Sequence, residues 1–398
     1  MLKKGFKFID LFCGIGGFHQ ALTSLGGECV LASEIDKAAI ETYEKNYHMD
    51  ANIDVNDIKE ERIPDFDVLC AGFPCQSFSK AGHQAGFADK TRGTLFFQII
   101  RILEAKKPSY FILENVRNLV SHDNGNTWKI IKESLMEAGY VISETPIIMS
   151  PHQLGVPQFR ERVYILGVHK RLGIDQINVF LPTPPSFFDI YKSIVEEHPK
   201  EKYNISEYEV KVLTCWDEFY QGIKETVLGF PVWVSEFGKT YDLSELPKWQ
   251  STFCEKNRKL YLNNKVFLDG WLTRWNGLKD FSPTHRKFEY QAGKDIKSIW
   301  EGFIQFRPSG IRVKRPTFFP ALVAMVQIPI IGKYRRRLTP REAARLQSFP
   351  DDFEINENDH QAYKQFGNSV NVNCVKFLAN QLFSLPKSSE ENDFELTG

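Results

Sequence analysis

Pro74-Cys75-Gln76 closes an apolar run, Phe66-Asp67-Val68-Leu69-Cys70-Ala71-Gly72-Phe73, and so sets a thiol just past the carboxyl end of a buried strand. In parallel α/β sheets that is where the chemistry is carried. A second apolar run, Tyr110-Phe111-Ile112-Leu113, ends on Glu114-Asn115-Val116, about forty residues later. A thiol becomes a nucleophile when it ionises, and a carboxyl can hold or move a proton. One of each, both at strand ends, suggests a single active site. Arg160 and Arg162 alternate on a later strand pattern and so point to one face, as partners of that site or as an ordinary surface salt bridge.

A second set of residues fits a cofactor. Asp10-Leu11-Phe12-Cys13-Gly14-Ile15-Gly16-Gly17 follows the first strand and opens the first helix, and its glycines allow a ligand close to the backbone. A nicotinamide dinucleotide would want Gly-x-Gly-x-x-Gly, but His19 stands at the third position. The next strand ends in Ser33-Glu34-Ile35-Asp36. Glu34 could accept both hydroxyls of a ribose, while Asp36 could supply a helix N-terminal charge. Asp57, in Asn56-Asp57-Ile58, stands at the following strand end, where it could take an adenine amino group. Together these favour an adenosine-bearing cofactor without a pyrophosphate, such as S-adenosylmethionine.

The elements that must position these residues read as α/β. Strands are expected over Phe6–Phe12, Glu28–Ser33, Phe66–Phe73, Ser109–Leu113, Tyr140–Met149 and Arg162–Val168. Helices are expected over Gly17–Leu25, Lys37–Tyr47, Leu95–Ala105 and Thr127–Ala138. Alternation of this kind implies a mostly parallel sheet covered on both faces. The last two strands lack a helix between them and should pair antiparallel at one edge. Near Pro182-Thr183-Pro184-Pro185 the rhythm breaks, and six of the seven tryptophans follow, at 216, 233, 249, 271, 275 and 300. The expected organisation is a cofactor-binding domain over 1–183 and a smaller irregular domain over 184–333. A hinge and helix over 334–366 follow, with Pro340 at the helix start, then a returning helix over 367–388 and a disordered tail over 389–398.

Composition bounds the rest. At 398 residues and 42% apolar, with 32 Phe, the chain can bury a large core. No apolar stretch reaches the length of a membrane span, and no signal-peptide profile is present. Seven cysteines without a Cys-x-x-Cys spacing argue against a disulfide framework or a zinc site, so no metal is expected; a reducing cytoplasm fits. Net charge is zero, yet basic residues gather between Arg307 and Arg345, with Glu342 the sole acid. Arg335-Arg336-Arg337 within that strip is either a solvated basic face or a phosphate contact.

In this arrangement the chain resembles the cytosine-C5 DNA methyltransferases. The resemblance rests on eight segments in order: Asp10 to Gly17; Ser33 to Asp36; Gly72-Phe73-Pro74-Cys75-Gln76-Ser77-Phe78-Ser79; Arg92 to Phe97; Glu114-Asn115-Val116; Gln158-Phe159-Arg160-Glu161-Arg162; Arg337 to Arg345; and Gln365-Phe366-Gly367-Asn368-Ser369-Val370. It covers the first ~170 residues and the last ~65. Ser121 to Thr127 looks like bacterial restriction-modification members.

The resemblance implies a Rossmann-like S-adenosylmethionine-dependent fold with a mixed, mostly parallel sheet and a smaller target recognition domain. It implies that Cys75 adds to cytosine C6, that Glu114 serves N3 with a raised pKa, that Arg162 orients Glu114 and the base, and that Arg160 helps near the base or a phosphate. Cofactor contacts are implied for Phe12, Gly14, Gly16, Glu34, Asp57, Pro74, Leu95 and Asn368. S-adenosylhomocysteine is the implied product. A target cytosine must be flipped from the duplex, and Lys80–Thr91 reads as a loop closing on it.

In the recognition domain Arg307, Arg312, Lys314 and Arg315 are candidates for DNA contact. Leu322 belongs to Pro320-Ala321-Leu322-Val323-Ala324, where Ala321 replaces a usual Thr. The expected partner is double-stranded DNA, bound by a cytoplasmic monomer beside a possible separate restriction endonuclease. An RNA (tRNA) cytosine methyltransferase is the rival within the fold, although that branch carries Pro-Pro-Cys rather than Phe73-Pro74-Cys75. A catalytically silent DNA-binding protein is the rival from another class.

Overall fold

A computed structural model describes residues 2, 4–74, 95–187, 189–225, 228–322 and 327–387. Cys75 and the expected closing loop Lys80–Thr91 lie outside the described residues, as does the tail over 389–398. The chain divides into two compact units, Met1–Phe188 with Ala343–Gly398, and Asp189–Glu342.

The first unit is built on a seven-stranded sheet. Its elements run β1 (Lys7–Leu11), α1 (Gly17–Thr23), β2 (Glu28–Ser33), α2 (Lys37–Tyr47), β3 (Val68–Gly72), α3 (Leu95–Lys106), β4 (Tyr110–Val116), α4 (Asn126–Glu137), β5 (Tyr140–Ile142), β6 (Ile147–Met149), the two-residue β7 (Gln158–Phe159), and β8 (Arg162–His169). The order is β2-β1-β3-β4-β8-β5, with β6 also on β8. The first four strands are parallel; β8 runs antiparallel to β4 and carries both β5 and β6 antiparallel. The expected single strand Tyr140–Met149 is therefore two. The break falls at Ser143-Glu144-Thr145-Pro146, where proline cannot donate to a ladder.

Strands β3 and β4 are buried almost end to end, so their residues read as unbroken apolar runs. Ile9, Leu69, Phe111, Leu113 and Ile165 pack with Phe96, Ile99 and Leu103 of α3 in the principal core. The chain returns through helices Asp359–Asn368 and Val372–Phe383. Val375, Leu378 and Leu382 of the last helix are fully buried.

The second unit is more regular than its sequence suggests. It holds a six-stranded sheet whose members include β9 (Lys287–Gln291), β10 (Phe303–Arg307) and β11 (Gly310–Lys314), with β11 between the other two. Helices Glu207–Gly222, Lys248–Asn263 and Lys265–Arg274 accompany it. Trp216 and Trp271 are fully buried, and Trp216 stacks on Phe288 at 4.8 Å. Strands of two to five residues in a scrambled order leave too short a periodicity to read. No helix among the described residues is long and apolar enough to cross a membrane.

The basic run 335–337 is in part structural. Arg336 is buried and forms a two-toothed pair with Glu342, at 2.6 and 3.0 Å. Arg337 pairs with Glu209, and Arg335 lies over the Trp300 ring at 4.7 Å. Arg336 and Arg337 are thus paired with acids of the second unit, whereas Arg335 is exposed beside the Trp300 ring. Glu342, the one acid of the strip, is what draws Arg336 inward.

Candidate active site

The carboxyl ends of β1, β2, β3 and β4 open onto one cleft of about 500 Å³ in the first unit. Its lining includes Phe12, Gly14, Glu34, Asp54, Pro74, Leu95, Glu114, Arg160, Arg162 and Asn368. This is the position at which an open parallel sheet binds ligands.

The turn after β1 is unusual backbone. Phe12, Gly14 and Gly16 have φ of 56°, 56° and 84°. At Phe12 the left-handed conformation costs on the order of 1–3 kcal/mol, offset by the ring's packing against the core. The turn is tied by Cys13 N–H to the Ser33 carbonyl (3.0 Å) and by Gly16 N–H to that of Cys13 (2.8 Å). Gly16 does not line the cleft; a Cβ there would sit 2.2 Å from the Tyr47 ring. Gly17 does line it, and a Cβ there would meet Val370 Cγ2 at 2.6 Å. Of the two glycines, Gly17 is the one on the cleft, while the Tyr47 ring fills the space beside Gly16.

Glu34 and Asp36 have separate tasks. The Glu34 carboxylate accepts the Gly14 N–H on Oε2 (2.9 Å) and the N–H groups of Ile35 and Asp36 on Oε1 (2.8 and 2.9 Å). Three amides thus hold the carboxylate in place where it lines the cleft. Asp36 caps α2 by accepting the Ala38 and Ala39 amides and pairs with Lys364 at 2.7 Å. The Lys364 bond leads the causes that hold the Asp36 carboxyl below its usual value.

Asp57 is exposed and absent from the lining, where Asp54, Val55 and Asn56 stand instead. A short turn, Val55–Asp57, carries Asp57 away, while the bridge between Glu34 and Asn52 keeps Asp54 beside the β2 end. Asp54 is therefore the carboxylate of this segment that lines the cleft, and the sequence reading did not single it out. Its signal was Ile53-Asp54, immediately beyond that bridge, three residues before the acid selected.

At the other side of the cleft, Glu114 is 8% exposed on β4. Burial pushes its pKa up, while the charges of Arg162 and then Arg160 pull it back. Arg162 Nε stands 3.1 Å from Glu114 Oε1. Asn115 donates from Nδ2 to the Phe73 carbonyl (2.8 Å), which fixes the end of β4 to the end of β3, one residue before Pro74.

Arg160 is fully inside. Its Nη2 donates to the carbonyls of Gly367 (2.8 Å) and Ser369 (3.0 Å). Burial, and then the charge of Arg162, push its pKa down to about 9, still cationic at neutral pH. This guanidinium thus joins the returning segment to the cleft that it lines with Glu114 and Arg162.

In the second unit, strand alternation sends Phe288, Tyr290, Ile304, Ile311 and Val313 into the core. Glu289, Gln291, Gln305, Arg307, Arg312 and Lys314 fall on the opposite face. Arg312 is bidentate on Glu289 (2.8 and 3.1 Å), and Arg315 pairs with Asp295. Arg307 donates from Nε to Gln327 (3.3 Å), and its buried Nη1 has no hydrogen-bond partner among the described residues. Lys314 has no ion-pair partner there; burial, then Arg312 and Arg307, lower its pKa. Leu322 is 4% exposed and belongs to the packing.

Comparison with known proteins agrees with this geometry. The model of the C-5 cytosine-specific DNA methylase family matches residues 6–384. The chain is 34% identical to the type II methyltransferase M.AluI of Cellulosimicrobium cellulans, over 94% of this chain and 91% of that one. It is 32% identical to M.HhaI of Haemophilus parahaemolyticus, over 94% and 93%, and 35% identical to M.HpaII of Haemophilus parainfluenzae, over 94% and 88%. Among solved structures, a Spodoptera frugiperda DNMT2 variant superposes with a TM-score of 0.55 at 20% identity, covering 96% of this chain and 100% of that one, a likeness of fold.

Proposed function

This chain belongs to the C-5 cytosine-specific DNA methylases, and from that premise we propose how its residues divide the reaction. The enzyme methylates C5 of cytosine in DNA; neither the RNA-directed reading nor the silent DNA-binding reading is favoured by its relatives.

S-adenosylmethionine fits the cleft. A volume of about 500 Å³ suits a ligand of that size. When bound, it supplies an electrophilic methyl group on a sulfonium sulfur. Glu34, held by three amides, takes a ribose hydroxyl. Phe12 lies along the adenine, and Asp54 replaces Asp57 as acceptor for the adenine amino group. Gly14 and Gly17 give the methionine end room, with Pro74, Leu95 and Asn368 completing the wall.

Cytosine C5 is a poor nucleophile by itself. The thiolate of Cys75 adds to C6, which moves electron density toward N3 and, as an enamine, onto C5. Glu114, whose raised pKa favours the protonated form, donates its proton or a hydrogen bond at N3. Arg162 holds the Glu114 side chain in place. C5 then takes the methyl group and loses its proton to a base, Cys75 leaves as thiolate, and N3 returns its proton to the Glu114 carboxylate. A cytosine in a duplex must leave the stack to reach Glu114.

For double-stranded DNA, Arg307 and Lys314 are the contacts to favour, because Arg312 and Arg315 already have acidic partners. The type II relatives suggest that methylation protects DNA from a separate endonuclease. The observation that carries the assignment of roles is the pair of buried Glu114 with half-buried Arg162, opening onto the same cleft as Glu34. Bisulfite sequencing of DNA from cells expressing the native chain should show one cytosine protected within a repeated short sequence. Cys75→Ser or Glu114→Ala should leave no protected cytosine, and persistence of the pattern in either variant would refute the roles.

A further inference from the structure

Helix Asp359–Asn368 ends in the cleft, and its last residue, Asn368, lines it. The final carbonyls of any α-helix lack partners within the helix. Here two carbonyls that flank Asn368, those of Gly367 and Ser369, receive the same nitrogen of Arg160, at 2.8 and 3.0 Å. Arg160 is 3% exposed and enters from the segment between β7 and β8, two residues before Arg162. The same helix is tied on its other side to α2. Gln365 Nε2 donates to the Ala38 carbonyl (2.8 Å), and Lys364 pairs with Asp36, two residues beyond Glu34.

We infer that Arg160 is a positioning residue for the cofactor: it clasps the C-terminal end of helix Asp359–Asn368 and thereby sets Asn368 against S-adenosylmethionine. It acts through the backbone on either side of Asn368. A cation at a helix C-terminus is favoured by the helix dipole as well as by the open carbonyls. The two N–H bonds of Nη2 are fixed in the guanidinium plane, so reaching two carbonyls sets a direction as well as a distance, which a point charge cannot do. Because Arg160 also faces Glu114, it joins the wall that holds the cofactor to the wall that holds the base.

The inference rests on the reading that this cleft takes S-adenosylmethionine, and the test separates the two. Affinity for S-adenosylmethionine is measured by calorimetry on the full-length chain, for the native enzyme, Arg160→Met, Asn368→Ala and the double variant. Folding of each is checked by circular dichroism. Arg160→Met should weaken binding about tenfold, the scale of one or two hydrogen bonds. Asn368→Ala should show a comparable loss. The double variant should be no weaker than the poorer single one, because Arg160 works through Asn368. Affinity for a cognate duplex without cofactor should stay within about twofold.

Native affinity in Arg160→Met, or losses that multiply in the double variant, would overturn the inference. A native chain that binds no S-adenosylmethionine would instead overturn the reading of the cleft, and the inference with it. Should Arg160→Met fail to fold, Arg160→Lys carries the same cycle. It keeps the charge but loses the fork, and should weaken binding by about threefold or more; full affinity in that variant refutes the clasp.

Discussion

Glu34→Gln perturbs the cofactor hook with almost no change in volume. In the native arrangement three amides point at the carboxylate, from Gly14 on one oxygen and from Ile35 and Asp36 on the other. A glutamine offers one oxygen and one amino group. Whichever way it turns, an N–H faces an N–H at one end. If the amino group lies toward Ile35 and Asp36, two donors lose their acceptor; if toward Gly14, one does. The ligand hydroxyl also exchanges a charged acceptor for a neutral one. A hydrogen bond to a charged group is worth about 1.5–3 kcal/mol. At about 1.4 kcal/mol per decade, S-adenosylmethionine should bind roughly 10- to 150-fold more weakly. Calorimetry on the full-length variant measures this directly, and S-adenosylhomocysteine should lose as much, since it carries the same ribose. Turnover at saturating cofactor should hardly change, the mark of binding lost equally in ground and transition states. A folded Glu34→Gln variant whose affinity stays within about twofold of native would show that the carboxylate organises the turn without touching the ligand.

Glu114→Gln should lower turnover by about 10²- to 10⁴-fold while cofactor affinity is retained, since its proton serves N3 and not the adenosine. The required form of Glu114 is the protonated one, and burial raises its pKa. Native turnover should therefore fall as pH rises through that value. Arg162→Met removes the larger opposing charge and should carry the fall to higher pH, as read from the pH–rate profile of the residual activity. Arg336→Met strands the Glu342 charge, whose side chain is 0% exposed, and should cost about 3–5 kcal/mol of stability in thermal unfolding. Lys314→Ala should weaken DNA binding and reduce the slope of log affinity against log salt by about one, because Lys314 forms no ion pair among the described residues.

Strand-end chemistry was legible because β3 and β4 are buried on both faces, and an unbroken apolar run marks where each stops. Gly72 and Glu114 stand opposite each other in the ladder, so the residues that follow them meet in space. The finer placements were not legible for reasons of three-dimensional packing. Gly16 and Gly17 are adjacent and identical in type, and only the Tyr47 ring tells them apart. Asp54 and Asp57 differ by one short turn. The partners of Arg336 and Arg337, Glu342 and Glu209, were not legible, because Glu209 lies 128 residues away in the sequence. Arg160 looked like Arg162 because alternation puts both on one side; burial and two carbonyls from some 207 residues away set its different task.

The central claim, a transient bond from Cys75 to cytosine C6 followed by methyl transfer to C5, has one most direct measurement. A duplex with 5-fluorocytosine at the target position is incubated with the enzyme and S-adenosylmethionine, and the intact product is weighed and mapped by mass spectrometry. Fluorine at C5 cannot depart as a proton does, so the thiol cannot be expelled. The account predicts a stable adduct whose mass is the sum of protein, DNA and one methyl group, with the link on the peptide carrying Cys75. A methylated duplex free of protein, or a link at any other residue, would contradict it.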